Sequence, residues 1–199
     1  MKTSPFLNFD KLAGPNLTLM PLAPLDSQPL YTTLLSETTW MVSERGIKDQ
    51  PVFEKYIKAF LDRQEKQEGV TLVARVTRTS EIKAISTFWN FATNGSKIEI
   101  GFTWVADKWM RTFVNTEMKF LMLTYAFETL KVKRVEFSVD PTNEKSNKAM
   151  LRIGAKCEGT LRKWRFLSEN DKGDRNIYSI IDDEWPEIKA RLNKSRTRT

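Results

Sequence analysis

The sequence predicts an α/β fold: a mixed central sheet flanked by helices. Three observations predict it. Residues 97–139 read as a strand KIEIGFTWV, a polar turn WMRTFVNTE, an apolar helix MKFLMLTYAFETL and a strand KRVEFSVD. A strand–helix–strand passage places its two strands side by side and parallel. Upstream, Asn94-Gly95 joins two β-rich runs, and this dipeptide accepts the positive φ of a tight hairpin. Ahead of that hairpin, VFEKYIKAFLDRQEKQEG has helical rather than strand periodicity.

Each element can be justified in order. Residues 1–16, with Pro5, Gly14 and Pro15, form an extended lead-in. Leu17, Leu19 and Leu22 mark a first strand that Pro21 ends. Asp26 is a natural N-cap for a short helix whose apolar face is Leu30, Leu34 and Leu35. Trp40, Met41 and Val42 lie in a loop. Val52, Tyr56, Ile57, Phe60 and Leu61 give the stripe of the next helix, which Gly69 is expected to stop. Strands follow at 70–76 and 82–89, with Arg78-Thr79-Ser80 in the turn, so three consecutive strands pair antiparallel with their neighbours.

The central helix is apolar almost all round, with Glu117, Thr124, Glu128 and Lys131 as its polar stripe, and Asn115 or Thr116 can cap it. Val135, Phe137 and Val139 alternate on the next strand. Asn143–Ile153 is a second helix, ended by Gly154. AKCEGTLRKWRFL and RNIYSIID form an antiparallel pair around the turn SENDKGD, and Glu184-Trp185-Pro186 opens a C-terminal helix. The whole chain, 1–199, reads as one domain with a basic tail at 193–199.

Composition removes several classes of chemistry. The chain has no histidine and one cysteine, Cys157, so a His-based triad, a Cys- or His-based zinc site and an intrachain disulfide are excluded. Proton transfer falls to carboxylate, Tyr, Ser, Lys, Cys, backbone or water. Without a long apolar run or a secretory leader, the expectation is a cytoplasmic protein with no membrane partner and no metal. The net charge of +7 suits either nucleic acid or an acidic ligand such as a phosphorylated cofactor. Lys189, Arg191, Lys194, Arg196 and Arg198 carry much of it near the end, and without interleaved aromatics they read as a solvated, frayed tail.

A strand that ends in a turn opening a helix suits an anion held on free backbone N–H groups, and the alternative is a plainly capped helix. Glu99 lies between Ile98 and Ile100 and so faces away from them. Glu136 alternates in the same way with Val135 and Phe137, and reads as structural. Trp40, Phe88, Trp89, Trp104, Trp109 and Trp164 are candidates for a substrate cleft, although aromatic stripes more often build a core. Cys157 reads as a buried strand residue.

IEIGFTWV, WMRTFVNTEMKFLMLTYAFETLKVKRVEFSVD, TNEKSNKAMLRIGAKCEGTLR and GDRNIYSIIDDEWP occur in the order found in a known family. Over roughly residues 15–192 the chain resembles the GCN5-related N-acetyltransferases, in their ribosomal-protein-alanine acetyltransferase-like (RimJ/RimL-type) branch. The resemblance implies a sheet that splays to admit the pantetheine arm of acetyl-coenzyme A, and acetyl transfer to a primary amine, a protein N-terminus being favoured. A small-molecule amine, or a non-catalytic module that keeps the fold, are the alternatives, in a monomer or homodimer.

By the same resemblance the cofactor residues are Phe102, Trp104, Val105, Arg111, Thr112, Phe113, Val114, Asn115, Thr116, Asn143 and Ser146. Both glycines usual in the cofactor turn are missing. The resemblance makes Glu99 the base, directly or through water. The tyrosine that usually donates a proton to the leaving thiolate is Met150 here; the branch resemblance implies Ser146 as the hydrogen-bond donor instead, with Tyr178 a spare. A glutamate used on the strand after the EG pair is Arg165 here.

Overall fold

The computed structural model describes residues 9–34, 47, 49–92, 94–164 and 173–196. Eight strands form one mixed sheet in the order β1-β2-β3-β4-β5-β6-β8-β7. They are β1 (Leu12–Ala13), β2 (Leu17–Pro21), β3 (Gly69–Val76), β4 (Ile82–Trp89), β5 (Lys97–Val105), β6 (Arg134–Val139), β7 (Lys156–Leu161) and β8 (Arg175–Ile181). The helices are α1 (Ser27–Leu34), α2 (Gln50–Glu65), α3 (Phe113–Thr124), α4 (Glu144–Ile153) and α5 (Trp185–Arg196). All neighbours pair antiparallel except β5 and β6, which are parallel as the strand–helix–strand passage requires.

Two cores lie on opposite faces of the sheet. On one face Leu17, Leu72, Phe88, Ile100, Val135 and Ile180 meet Met118, Met122, Leu123 and Ala126 of the central helical segment. The other face carries Val73, Ile85 and Trp104 against Leu30, Leu34, Phe53, Ile57 and Phe60 from α1 and α2. Period-two alternation in the strands feeds both faces at once, which is why 70–74 and 82–88 are buried without a break.

Several local expectations change. Asp26 does not cap α1; its carboxylate turns back to accept from Ala23 N and pairs with Arg75, because a 3-10 turn at Pro24–Asp26 precedes the helix. Asp49 caps α2 by accepting from Val52 N, and Phe53 joins the buried stripe while Val52, Tyr56 and Leu61 are only half-buried. Gly69 does not stop α2. The left-handed residue is Gln67 (φ 58°), and Gly69 is already in β3, where a Cβ would stand 2.5 Å from the Phe88 carbonyl oxygen. Helix α3 starts five residues earlier than the apolar run suggests, and Thr112 caps it rather than Asn115 or Thr116.

Glu117 is not on a wet stripe. It is fully buried and accepts from Asn16 N and Leu17 N at 2.9 and 3.0 Å and from Asn16 Nδ2 at 2.8 Å. Cys157 is exposed rather than buried, because β7 is an edge strand open along its length. The basic C-terminal residues are helical up to Arg196, the last described residue of α5, and Lys189 pairs with Glu128. Leu35, Trp40, Met41, Val42, Arg165 and Arg198 lie outside the described residues.

Candidate active site

Strands β5 and β6 pair only over Lys97↔Arg134, Ile98↔Val135 and Glu99↔Glu136, and have no further pairs among the described residues. Just beyond, β5 carries a bulge. Ile85 pairs with Trp104 and Thr87 with Gly101, so Ser86 stands opposite both Phe102 and Thr103. Phe102 takes φ 47°, a left-handed value that a bulge exploits to turn a strand. The bend leads β5 away from β6 and opens a gap between two parallel strands.

Backbone groups along such a gap lack ladder partners, and they can pair with an extended ligand instead. The Ser138 hydroxyl on β6 is buried there with no hydrogen-bond partner among the described residues. At the far end of β5, Arg111 adopts φ 61° immediately before the α3 cap. That left-handed turn is one glycine would supply easily, and here arginine supplies it without the missing glycines. The turn joins β5 to α3 and so leads directly into the N-terminus of that helix, and its Arg111 side chain is exposed. These groups fit a phosphate-bearing cofactor with an extended arm.

The proposed cofactor residues divide by position. Arg111 and Thr112 are exposed, and Phe102, Val105, Phe113, Asn115 and Thr116 are half-buried; they lie on β5 from the bulge onward, in the turn, or on the first turn of α3. Val114 is fully buried in the core under α3, and only its backbone faces the turn. Trp104 is buried in the α2-side core, with rings of Phe53, Tyr56 and Phe60 within 6.4 Å, so its side chain is structural.

The aromatic set does not form a single cleft. Phe88 packs against Tyr125 in the α3-side core, and Trp164 is exposed beside β7. Trp89 lies on the α2 side with Phe102, centroids 5.2 Å apart, and the Arg63 guanidinium stands 5.5 Å from each ring. Trp109 is held from the strand side by the Lys83 ammonium, 3.6 Å from its ring centre; Lys83 pairs with Glu81, which also bonds Lys108. This ion cluster braces the loop that leads into Arg111.

Glu99 points to the α2 face, one pair short of the gap, and is 5% exposed. Asn90 Nδ2 donates to its Oε2 at 3.3 Å. Glu136, its register partner, is bound by Lys97 and Arg134, each at 2.8 Å. Burial opposes ionisation of Glu136, but those hydrogen bonds outweigh it and hold the carboxyl below the usual range. Its position agrees with a structural role.

On the α3 side, Asn143 caps α4 by accepting from Ser146 N at 3.0 Å, and the Ser146 side chain is half-buried on the same first turn. The Tyr178 hydroxyl donates to Asn147 Oδ1 at 2.8 Å. Asn147 Nδ2 in turn donates to the carbonyls of Asp140 and Asn143. Burial, and then Cys157 beside it, push the Tyr178 phenol above its ordinary pKa, so it stays a proton donor. Asn147 is the organiser that sequence reasoning missed; its only signal is the spacing of four from Asn143 in NEKSN.

A mixed sheet parted between two parallel strands, with a helix N-terminus at one end of the gap and a buried carboxylate on one side, defines an acyl-carrier-dependent transferase. A family model described as "Acetyltransferase (GNAT) domain" matches residues 16–156, and the chain belongs to that family, the GCN5-related N-acetyltransferases. It is an acyl-CoA-dependent acetyltransferase. Among curated relatives, the uncharacterized N-acetyltransferase YoaA of Bacillus subtilis (strain 168) is 26% identical over 63% of this chain and 70% of its own length. YdaF of the same strain, provisionally named a ribosomal N-acetyltransferase, is 34% identical over 45% of this chain and 48% of its own. The solved structure of Mycobacterium smegmatis RimJ in complex with CoA-disulfide superposes with a TM-score of 0.70, at 18% identity, over 93% of this chain and 91% of that one.

Proposed function

We propose that this chain transfers acetyl from acetyl-coenzyme A to a primary amine, with a protein N-terminal amino group as the acceptor. The observation that carries this reading is the parted β5–β6 seam, with Glu99 buried on one side of it and the Arg111 turn at its end. The cofactor would supply the activated acyl group. Phe102–Val105 backbone along β5 would orient its arm, and Arg111 with the first turn of α3 would hold its phosphates. Asn143 and Ser146 would border the arm from α4.

An amine arrives as an ammonium and must lose a proton before it can attack. Glu99, on the α2 face, would take that proton through water, and Asn90 fixes the carboxylate by its hydrogen bond. Ser146 would donate a hydrogen bond toward the sulfur, with Tyr178 held in reserve by Asn147. The acceptor side is rimmed by Trp89, Phe102 and Arg63, a rigid aromatic and cationic wall suited to an extended peptide. The RimJ-like fold and the YdaF likeness favour a ribosomal-type protein N-terminus. No helix among the described residues is long and apolar enough to cross a membrane.

The test is acetyl transfer from acetyl-coenzyme A to pooled peptides with free N-termini and to pooled small amines, read by mass. Selective labelling of peptide α-amines supports the proposal. Labelling of small amines alone moves the acceptor class, and no transfer to either pool refutes it.

A further inference from the structure

Lys119 is a buried lysine that the proposed chemistry does not use. It is 1% exposed, projects from α3 onto the sheet, and has no ion-pair partner among the described residues. Its Nζ donates to Ser86 Oγ at 3.0 Å and to Thr103 Oγ1 at 2.6 Å. Ser86 is the β4 residue opposite the bulge, and Thr103 is one of the two β5 residues that face it. The Phe137 ring of β6 stands 5.9 Å away, across the gap. Lys119 therefore joins α3 to the bulge at the point where β5 turns from β6.

That placement is not required for hydrogen-bond satisfaction of the sheet. Ser86 and Thr103 already bond each other at 2.8 Å, and would remain satisfied without the lysine. A buried amine is costly, and desolvation lowers its pKa from 10.5 to about 7. A costly group that the local hydrogen bonding can spare is expected where a conformation serves function.

We propose that Lys119 is a positioning residue: by tying Ser86 and Thr103 to α3, it fixes the bulge and so sets the β5–β6 gap for the acyl-bearing arm. Among the described residues, the groups that face it are uncharged: β4 presents Ser86, β5 Thr103 and β6 Phe137. Its action passes through Thr103, whose backbone borders the gap. The inference rests on the acetyl-coenzyme A reading only for what fills the gap, not for the bulge itself.

The experiment compares wild type, Lys119→Met and Lys119→Gln as full chains, with two readouts. Hydrogen exchange in the free protein reports on residues 100–105, and calorimetry with acetyl-coenzyme A reports on affinity. Lys119→Met is expected to exchange about tenfold faster across the bulge, with no such acceleration in distant strands. It is also expected to bind acetyl-coenzyme A about tenfold more weakly. Lys119→Gln, which keeps polar reach, recovers much of both. Should the Met variant not fold, the Gln variant carries the comparison through a partial effect of the same sign. Unchanged exchange overturns the proposal. Faster exchange with unchanged affinity overturns its functional half. A wild type that binds no acetyl-coenzyme A defeats the cofactor reading alone, since exchange still decides whether the lysine fixes the bulge.

Discussion

Glu99 and Lys119 lie on opposite faces of β5, and their ionisation makes opposite demands. Glu99 serves only while it is a carboxylate and the acceptor an ammonium. Glu99→Gln keeps the shape and removes the base, so kcat/KM should fall by about 100-fold near neutral pH and recover in part at high pH, where the amine is already neutral. The check is the pH profile of both proteins on one confirmed peptide; superimposable profiles would remove Glu99 from the mechanism. Lys119 is lowered by desolvation from 10.5 to about 7. Between those values the unfolded chain holds a proton that the folded chain has released. Its contribution to folding therefore improves as pH rises through that window, and the burial cost is complete below its lower end. The cost is on the order of 4–5 kcal/mol before hydrogen bonds offset part of it. Lys119→Met should be more stable than wild type near pH 6, by a margin that shrinks toward pH 10, as read by urea unfolding. A margin that grows with pH would contradict the buried amine.

At the scale of elements, α3 shows what periodicity reveals and what it hides. The helix, its apolar character and its place between parallel strands were readable from residues 97–139. Its polar residues were not, because burial of a charge depends on partners distant in sequence. Glu117 finds Asn16 and Leu17 a hundred residues away, and completes the start of β2 by accepting two backbone N–H groups there. Gly14 lets the two elements approach: a Cβ there would stand 2.5 Å from Glu117 Oε1. The N-cap of α3 was misplaced for a similar reason, since Phe113 and Val114 continue the helix backward only where the Arg111 turn allows. Glu117→Ala leaves those N–H groups buried without acceptors and should cost about 3–5 kcal/mol, with the loss concentrated at the α3–β2 contact. Chemical unfolding measures the total. A change within experimental scatter would mean that water replaces the carboxylate.

Across the whole molecule, the antiparallel block β3-β4-β5 and the parallel seam followed from local signals: a hairpin turn and a strand–helix–strand passage. The insertion of β8 between β6 and β7 did not, since sequence order says only that β7 and β8 are neighbours. The bulge was equally hidden, because nothing in GFTWV distinguishes a turned strand from a straight one. The last helix was read as short and its charges as solvated. Instead α5 locks the α3 side of the sheet. Trp185 is 5% exposed, stacks on Phe127 at 5.4 Å, and its Nε1 donates to Glu128 Oε1 at 2.7 Å. Ile188 and Leu192 bury the next two turns, and Arg191 packs over Gly154 at the end of α4. Helix α5 therefore packs on both the α3 segment and the end of α4. Trp185→Ala opens a large cavity under this helix and should cost about 3–5 kcal/mol. For a chain of this size that lowers Tm by roughly 6–20 °C. Trp185→Phe keeps the stacking and loses the hydrogen bond, so it should cost only about 1–2 kcal/mol. Thermal melts of the two variants, with and without acetyl-coenzyme A, separate the effects. If α5 merely covers the surface, both melt with the wild type; if it clamps α3 against α4, the Ala variant falls well below the Phe variant and regains part of the loss on binding the cofactor.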